Sequence, residues 1–490
     1  MSIHRPFQDP TPESVRDFID AVPLYAADVD DPTFFTDDRL VARRNELLRR
    51  QLGWLAEASP YYRKVFATEG VEVGDIGSTD DLVGLPVTTK QDLMGDPESF
   101  RLAFEQPGLY DLTYQTVYTT GTTTGLPTKY EYTTHDFFGV LQAGRRQNKL
   151  AYQVPGDRFF TAFPLSPLPH VSGFAGLIEN AAGLGFFHGF GGMSYDEFPI
   201  HNPSDYIADQ IELVQPQVVA GIGSFLRRMF ADMARDGRDL SSIVGVNASG
   251  EVLTERMLDH MRENLAACGA SPVFVSAPYG FTEGGLSFGQ CREAGPLHGT
   301  APDQIFMEVL DPDSGERLPD GERGLVTITH LNRRGMPLLR YQLGDQGVIR
   351  NSRCEACGRG GQSMIVSSGS AHITRTKEIL KIKGTLVNPQ VIHEVVMNTP
   401  GVLEYRMIVS HRDPGDPLSP DRLLIRIGID EGDDVSSWNE GGSSTKQLEV
   451  AVKQATEVTP DVELVEDLSE IYDPTTEFKA QRILDERTFE

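Results

Sequence analysis

The stretch VVAGIGSFLRRMFADMAR, residues 218–235, reads as a short apolar strand (218–220) that turns through 221–224 into a helix over 225–235. The same succession recurs on both sides. Further strand candidates lie at 158–163, Gly185–His188 and 273–276, with a second helix at 205–213. Short apolar strands alternating with helices predict a layered α/β sheet between about Thr113 and Val275. Upstream, residues 38–67 carry Leu40, Leu47, Leu48, Leu52 and Leu55 at helical spacing, with Arg and Lys on the other face. Thr88-Thr89-Lys90 then starts a capped helix. Downstream, 303–350 turns to β texture (QIFMEVLD, the turn DPDSG, GLVTITHL, QGVIR). The remainder mixes strands (406–409, 423–429) with helices (391–397, 445–457), enough for a separate small lid. The expected fold class is α/β: a large multi-subdomain N-terminal domain with layered α/β sheets, plus a small α+β C-terminal lid domain.

With 490 residues, of which 39% are hydrophobic, the chain exceeds one ordinary domain and can bury a large core. A net charge of −27 argues against nucleic-acid and anionic-membrane partners. No apolar run approaches the roughly 20 residues a membrane helix needs. The opening MSIHRPFQDPTPES is polar and broken by proline, unlike a signal peptide. Four cysteines in so long a chain make no disulfide framework. A cytoplasmic enzyme is expected.

Between two β-like runs lies Tyr118-Thr119-Thr120-Gly121-Thr122-Thr123-Thr124-Gly125-Leu126-Pro127-Thr128-Lys129. Glycines let backbone N–H groups approach phosphate oxygens and threonines add hydroxyl donors, so such a loop makes an anion nest; a Thr-rich hairpin turn is the alternative. Three later stretches complete a series: Ala277-Pro278-Tyr279-Gly280-Phe281-Thr282-Glu283-Gly284, Pro337 through Asp345 (PLLRYQLGD), and Glu477-Phe478-Lys479-Ala480-Gln481-Arg482. In this order they resemble the motifs of the acyl- and aryl-adenylate-forming superfamily (acyl-CoA synthetases, nonribosomal adenylation domains, luciferases). The loop departs from the usual form by one extra threonine and by Leu126 in place of a lysine that grips pyrophosphate, a job that could shift to Lys129. Ala277 replaces the usual Asn or Asp.

Residues 58–66 (ASPYYRKVF) with 85–93 (LPVTTKQDL), Gly335 through Tyr341 (GMPLLRY) and Cys357-Gly358-Arg359 resemble the phenylacetate–CoA ligase branch. The resemblance implies a nucleotide site: Thr119, Thr120, Gly121, Thr122, Thr123, Thr124 and Gly125 around the phosphates, and Ser249, Gly250 and Glu251 over the adenine. By the same match Tyr279 and Gly280 would meet the base, Asp345 would accept both ribose hydroxyls, and Arg375 would complete the cofactor set. Thr282 would touch the α-phosphate, Glu283 would hold Mg²⁺, and Lys479 would bridge carboxylate and α-phosphate. Residues 1–375 would form the adenylate-forming domain and 376–490 a lid rotating about Lys377. The implied activity is ATP-dependent conversion of a carboxylic acid to acyl-AMP, then transfer to the thiol of coenzyme A.

Two other readings stay open: a stand-alone adenylating enzyme passing the acyl group to an acyl carrier protein or another nucleophile, and a non-catalytic nucleotide-binding relative. Retention of Glu283, Asp345 and Lys479 together speaks against the last. The acid substrate should be read by segments 159–192 and 221–224, where Phe163, His170, Phe174 and Ile222 would suit a flat aromatic acid. Taken singly each reads better as ordinary core, except His170 after Pro-Leu-Pro, where a histidine could read a substituent such as hydroxyl or amino. A homodimer is the assembly entertained.

Cys354-x-x-Cys357 has metal-knuckle spacing, and Cys291 with His298 supplies two more donors. Together they make Cys₃His, a closed structural Zn²⁺ set, if the distant pairs converge. Reduced cysteines beside an unrelated histidine are the alternative. Cys268 is expected to be simply buried.

Overall fold

Burial of the leucine stripe drives the first part of the chain. In the computed structural model Leu40, Leu47, Leu48, Leu52 and Leu55 are all buried on helix Asp37–Ala58. The single helical segment expected over 38–67 is instead two helices, because Pro60 disfavours helical geometry at Ser59 and lacks the N–H a continuing helix needs. Ser59 becomes the N-cap of Pro60–Glu69, its hydroxyl accepting from the Tyr62 amide. A capping box between Thr89 and Asp92 opens helix Lys90–Gly95, as the sequence led us to expect. The structure describes residues 3–118, 128–165, 169–191, 202–365, 374–375, 380–383, 385–413, 419–429, 434–439, 441–472 and 480–487.

Strands β1 (Thr113–Tyr118) and β2 (Lys129–Thr133) pair antiparallel on either side of the Thr/Gly-rich segment, which lies at 119–127, outside the described residues. There follows the alternating region: β3 (Arg158–Thr161), β4 (Gly185–His188), β5 (Val218–Ile222), β6 (Gly245–Ser249) and β7 (Phe274–Ser276) form one parallel sheet in the order β4-β3-β5-β6-β7. Helices Pro169–Ala181, Ser204–Val214, Gly223–Arg235 and Glu255–Ala267 make the crossovers. All five residues of β5 are buried, the mark of a strand covered on both faces. The strand order reverses between β3 and β5. In such sheets the crevice outside the carboxyl ends at the reversal is where ligands sit.

An eight-stranded sheet comes next, built from β8 (Tyr279–Phe281), β9 (Leu286–Gln290), β10 (Leu297–Gly299), β11 (Ile305–Leu310), β12 (Arg323–His330), β13 (Tyr341–Asn351), β14 (Gln362–Ile365) and β15 (Thr374–Arg375). Its order is β11-β12-β13-β14-β10-β9-β8, with β15 paired to β13. The hairpin β16 (Leu380–Ile382) and β17 (Thr385–Val387) leads to a four-stranded sheet, β20-β19-β18-β21, of β18 (Val402–His411), β19 (Asp421–Ile429), β20 (Asp461–Leu464) and β21 (Ile483–Asp485). Helices Pro389–Met397 and Ser443–Thr456 accompany it. The architecture is thus mixed α/β with several sheets, as the sequence led us to expect. Among the described residues no helix is long and apolar enough to cross a membrane.

One buried acid gives the fold a pH signature. Glu179 accepts from the Asn148 side-chain amide at 2.7 Å, and burial pushes its carboxyl from 4.5 up to about 8. A raised carboxyl favours the folded state below its unfolded value and loses that contribution as pH rises through about 8. Glu179→Gln should therefore flatten the loss of thermal stability between roughly pH 4.5 and 8, read as Tm by calorimetry. An unchanged pH dependence would refute the assignment.

Candidate functional site

The parallel sheet hands the chain to the antiparallel one across Ala277-Pro278, and Tyr279 stands at the first position of β8. Its hydroxyl donates to Asp345 Oδ2 on β13 at 2.7 Å. Residues 66 positions apart are thereby joined. Backbone register places Arg375 of β15 opposite Asp345. Thr282 and Glu283 follow β8 in a turn held from three directions. The Tyr132 hydroxyl donates to the Thr282 carbonyl. Arg333, buried and lying 4.8 Å over the Tyr132 ring, donates to the Gly284 carbonyl at 2.5 Å. Tyr341 donates its hydroxyl to Glu283 Oε1 at 3.1 Å. Gly285 has φ of +64°, and a Cβ there would meet the Tyr132 ring at 2.6 Å, so only glycine fits.

Glu283 is buried, and burial pushes its carboxyl up; its own backbone amide, Tyr341 and the Lys90 charge act the other way. Lys90 is brought near because Thr88 pairs with β13, its amide donating to Arg340 and its carbonyl accepting from Gln342. A desolvated carboxyl of this kind gains from a divalent cation, so the position fits Mg²⁺.

Residues expected to cover the adenine sit at the carboxyl end of β6. Ser249 ends that strand opposite Ile222 of β5. Gly250 has φ of +88°, and a Cβ would meet Ile222 Cδ1 at 2.6 Å. Both oxygens of Glu251 are engaged, one by the Ser224 amide and the other by Arg482 Nη1 at 2.5 Å. Phe163 and Ile222 flank the reversal between β3 and β5, where the fold favours a ligand. Phe174 packs edge-on against Tyr132 at 5.3 Å, one ring removed from the Thr282 turn. The His170 side chain, the loop 119–125, Lys377 and Lys479 lie outside the described residues. The ammonium of Lys129, offered above in place of the missing loop lysine, is paired with Glu98 and, at 2.7 Å, with Glu131.

The four metal donors converge. Cys291 follows β9, His298 lies in β10, and Cys354 and Cys357 occupy the turn between β13 and β14. Their donor atoms all lie within 4.8 Å of one another. Cys291 Sγ is 3.3 Å from His298 Nε2 and 4.0 Å from Cys354 Sγ; Cys357 Sγ is 3.7 Å from His298 Nε2. Zinc with bonds of 2.0–2.3 Å sets tetrahedral ligands about 3.3–3.8 Å apart, so the set fits. Hydrogen bonds from Cys291 and Cys354 push the Cys357 thiol far down, while Cys291 is pushed up by the same crowding. Such a cluster is neutralised best by a cation that takes all three sulfurs as thiolates. Cys268 is buried at the end of helix Glu255–Ala267, in a different part of the core.

A family profile, the AMP-binding enzyme C-terminal domain, matches residues 384–487. The chain is 28% identical over 385 residues to a phenylacetate-coenzyme A ligase of Thermus thermophilus, spanning 77% of this chain and 79% of that one. It is 26% identical to a phenylacetate-coenzyme A ligase of Aromatoleum evansii, over 92% and 96% of the two chains. By these matches the chain is similar to the phenylacetate–CoA ligase-like branch of the adenylate-forming enzymes. Its fold matches that of a 2-hydroxyisobutyryl-CoA ligase in the postadenylation state with a TM-score of 0.73 at 21% identity, over 93% of this chain and 91% of that one.

Sequence reading alone passed over Tyr341, Arg333, Tyr132 and Lys90, which hold the Thr282-Glu283 turn. Tyr341 stood inside a quoted motif, four places before Asp345, and its position was the signal available. The other three announce themselves only through contacts between elements distant in sequence.

For this ligase-like chain the metal assignment has a direct check. Cys357→Ser should release about one equivalent of zinc and lower Tm by several degrees, because a closed site contributes folding energy outright. Unchanged metal content by elemental analysis would refute the site.

Proposed function

We propose that the chain activates an aromatic carboxylic acid with ATP, giving an acyl-AMP and pyrophosphate, and then passes the acyl group to the thiol of coenzyme A. The observation that carries this reading is that two hydrogen bonds, Tyr279 to Asp345 and Tyr341 to Glu283, join two separated motifs. The names of the similar enzymes supply coenzyme A as acceptor and phenylacetate as the type of acid.

In the first half-reaction a carboxylate oxygen bonds to the α-phosphorus as pyrophosphate leaves; in the second the thiol sulfur bonds to the carbonyl carbon as AMP leaves. Like charges meet in the first step, so cationic and hydroxyl groups must gather around the phosphorus. Asp345 is assigned to the ribose hydroxyls, Tyr279 with Gly280 to the base, and Ser249-Gly250 to its other side. Thr119, Thr120, Gly121, Thr122, Thr123, Thr124 and Gly125 are assigned to the phosphates, and Thr282 to the α-phosphate. Glu283 is the residue that would hold Mg²⁺, which when bound neutralises charge on phosphate oxygens. Lys479 brings a compact ammonium to carboxylate and α-phosphate. Phe163, His170, Phe174 and Ile222 are assigned to the acid. Residues 1–375 and 376–490 are assigned as body and lid, with Lys377 at the turning point, and Arg375 beside the ribose aspartate. Cys291, His298, Cys354 and Cys357 would hold a structural zinc remote from the chemistry.

Acid-dependent exchange of labelled pyrophosphate into ATP, run over a panel of aryl and arylacetic acids, tests the reading. Exchange should appear with at least one acid and thioester should form on adding coenzyme A. Lys479→Ala should lower exchange roughly a hundredfold or more, and Asp345→Asn should raise the KM for ATP about tenfold. Absence of exchange with every acid would overturn the reading.

A further inference from the structure

Lid and body meet here through buried charge. Arg482, just ahead of β21, donates Nε and Nη2 to the two oxygens of Glu404 on β18, at 2.8 and 2.9 Å. Its remaining Nη1 reaches Glu251 at 2.5 Å. Glu404 also accepts from Arg227 Nη2, on helix Gly223–Arg235, at 2.9 Å. None of the four side chains is more than 10% exposed. Two belong to the profile-matched C-terminal part and two to the body, and Glu251 directly follows the Ser249-Gly250 turn.

The surroundings leave little room for water. The space left among Arg227, Arg228, Glu404 and Tyr472 is about 10 Å³, the least that one water needs. Arg228 Nη1 seals one side by donating to the Tyr472 carbonyl at 2.5 Å. Apolar packing is continuous across the junction: one buried cluster takes in Val246 and Leu253 of the body with Ile392 and Tyr405 of the C-terminal part. Burial alone would push the Glu404 carboxyl up, yet the two guanidiniums hold it at about 2. Two cations and two anions alternate, one of each sign from either half, so the assembled cluster is neutral and Arg227 and Glu251 meet their ionic partners across the junction.

We propose that Arg227, Glu404, Arg482 and Glu251 form a clasp that docks the C-terminal part on the body for the adenylation half-reaction, with Arg482 and Glu404 as positioning residues. The proposal rests on the function assigned above. Lys479 precedes Arg482 by three positions, so anchoring Arg482 on Glu251 fixes the origin of the segment that carries the ammonium. Turning the lid for thioester formation parts Arg482 from Glu251 and Glu404 from Arg227. The Arg482–Glu404 pair travels intact, because backbone bonds tie its two strands together: the Met407 amide donates to the Arg482 carbonyl at 2.7 Å. Glu251 thereby links the adenine turn to lid position.

Glu251→Gln keeps an acceptor for the Ser224 amide but removes the charge facing Arg482; Arg227→Gln weakens the other contact without touching the adenine turn. Three quantities are read: acid-dependent pyrophosphate exchange, thioester formation from preformed acyl-AMP and coenzyme A, and the distance between fluorophores on genetically encoded labels at exposed Glu263 and Gln447. Both variants should lower exchange about tenfold and broaden the distance distribution, and in Arg227→Gln, which leaves the adenine turn untouched, transfer should be kept or quickened. In the double variant the losses should not add, since one docking event is removed by either change. Equal loss in both half-reactions, or exchange and distance both unchanged, would overturn the clasp. Should the unaltered chain show no exchange with any acid, the assigned function falls, and the distance distributions alone decide whether the four residues dock the lid.

Discussion

The hydrogen bond from the Tyr279 hydroxyl to Asp345 Oδ2, 2.7 Å long, closes the body of this protein on itself. One partner stands where the chain leaves the parallel sheet, and the other lies on β13 in the middle of the antiparallel one. A phenol donating to an ionised carboxylate is a charge-assisted bond, stronger than a neutral pair and more demanding of direction. Holding that geometry fixes the separation of a ring and an acidic acceptor. The Thr282-Glu283 turn then has little freedom, because β13 reaches it again through Tyr341 and helix-capping at Thr89 delivers Lys90 from another direction. The site is the place where two sheets of different construction are forced to agree.

How much of this could be read in advance follows from how far each constraint reaches along the chain. The strands β4 and β5 and the helix Gly223–Arg235 were legible because alternation and apolar spacing are local. Motif residues such as Glu283 and Asp345 were legible through resemblance, since they stand in short runs whose order is unusual. The break at Ser59-Pro60 was also local and was written in the proline, but the leucine stripe on either side masked it. Arg333 was not legible at all. Its guanidinium matters because Tyr132 and the Gly284 carbonyl come to it from 201 and 49 positions away, and no window of sequence contains all three.

The tetrad Cys291, His298, Cys354 and Cys357 shows an intermediate case. A knuckle at Cys354 and Cys357 is a local signal, whereas pairing it with Cys291 and His298 needs the sheet. That pairing is supplied by β10, whose His298 is in register with Gly289 of β9 and Ser363 of β14. Three thiolates with one divalent cation would leave a net negative charge, and Arg359, buried and next but one to Cys357, supplies the compensating positive charge. The tetrad therefore ties the loop after the Glu283 turn to the loop after the Asp345 strand. A divalent cation held there would stiffen both.

Stiffness in the body contrasts with what the lid contact requires. A hydrophobic seam alone between body and lid would be released only by exposing apolar area, at about 25 cal/mol per Å². Buried ion pairs behave differently. Their Coulomb gain is largely offset by desolvation, so a complete cluster adds little net stability, while a cluster missing one member is costly. Such a contact is intolerant of partial or shifted docking yet contributes modestly to the depth of the docked state. Arg482 and Glu404 keep each other company when the lid departs, which spares the lid a lone buried charge. Arg227 and Glu251 lie at the body surface once uncovered and are rehydrated there. In the proposed clasp the electrostatic cost of undocking is thereby shared between water and a pair that never separates, leaving the apolar seam as the remaining cost of release.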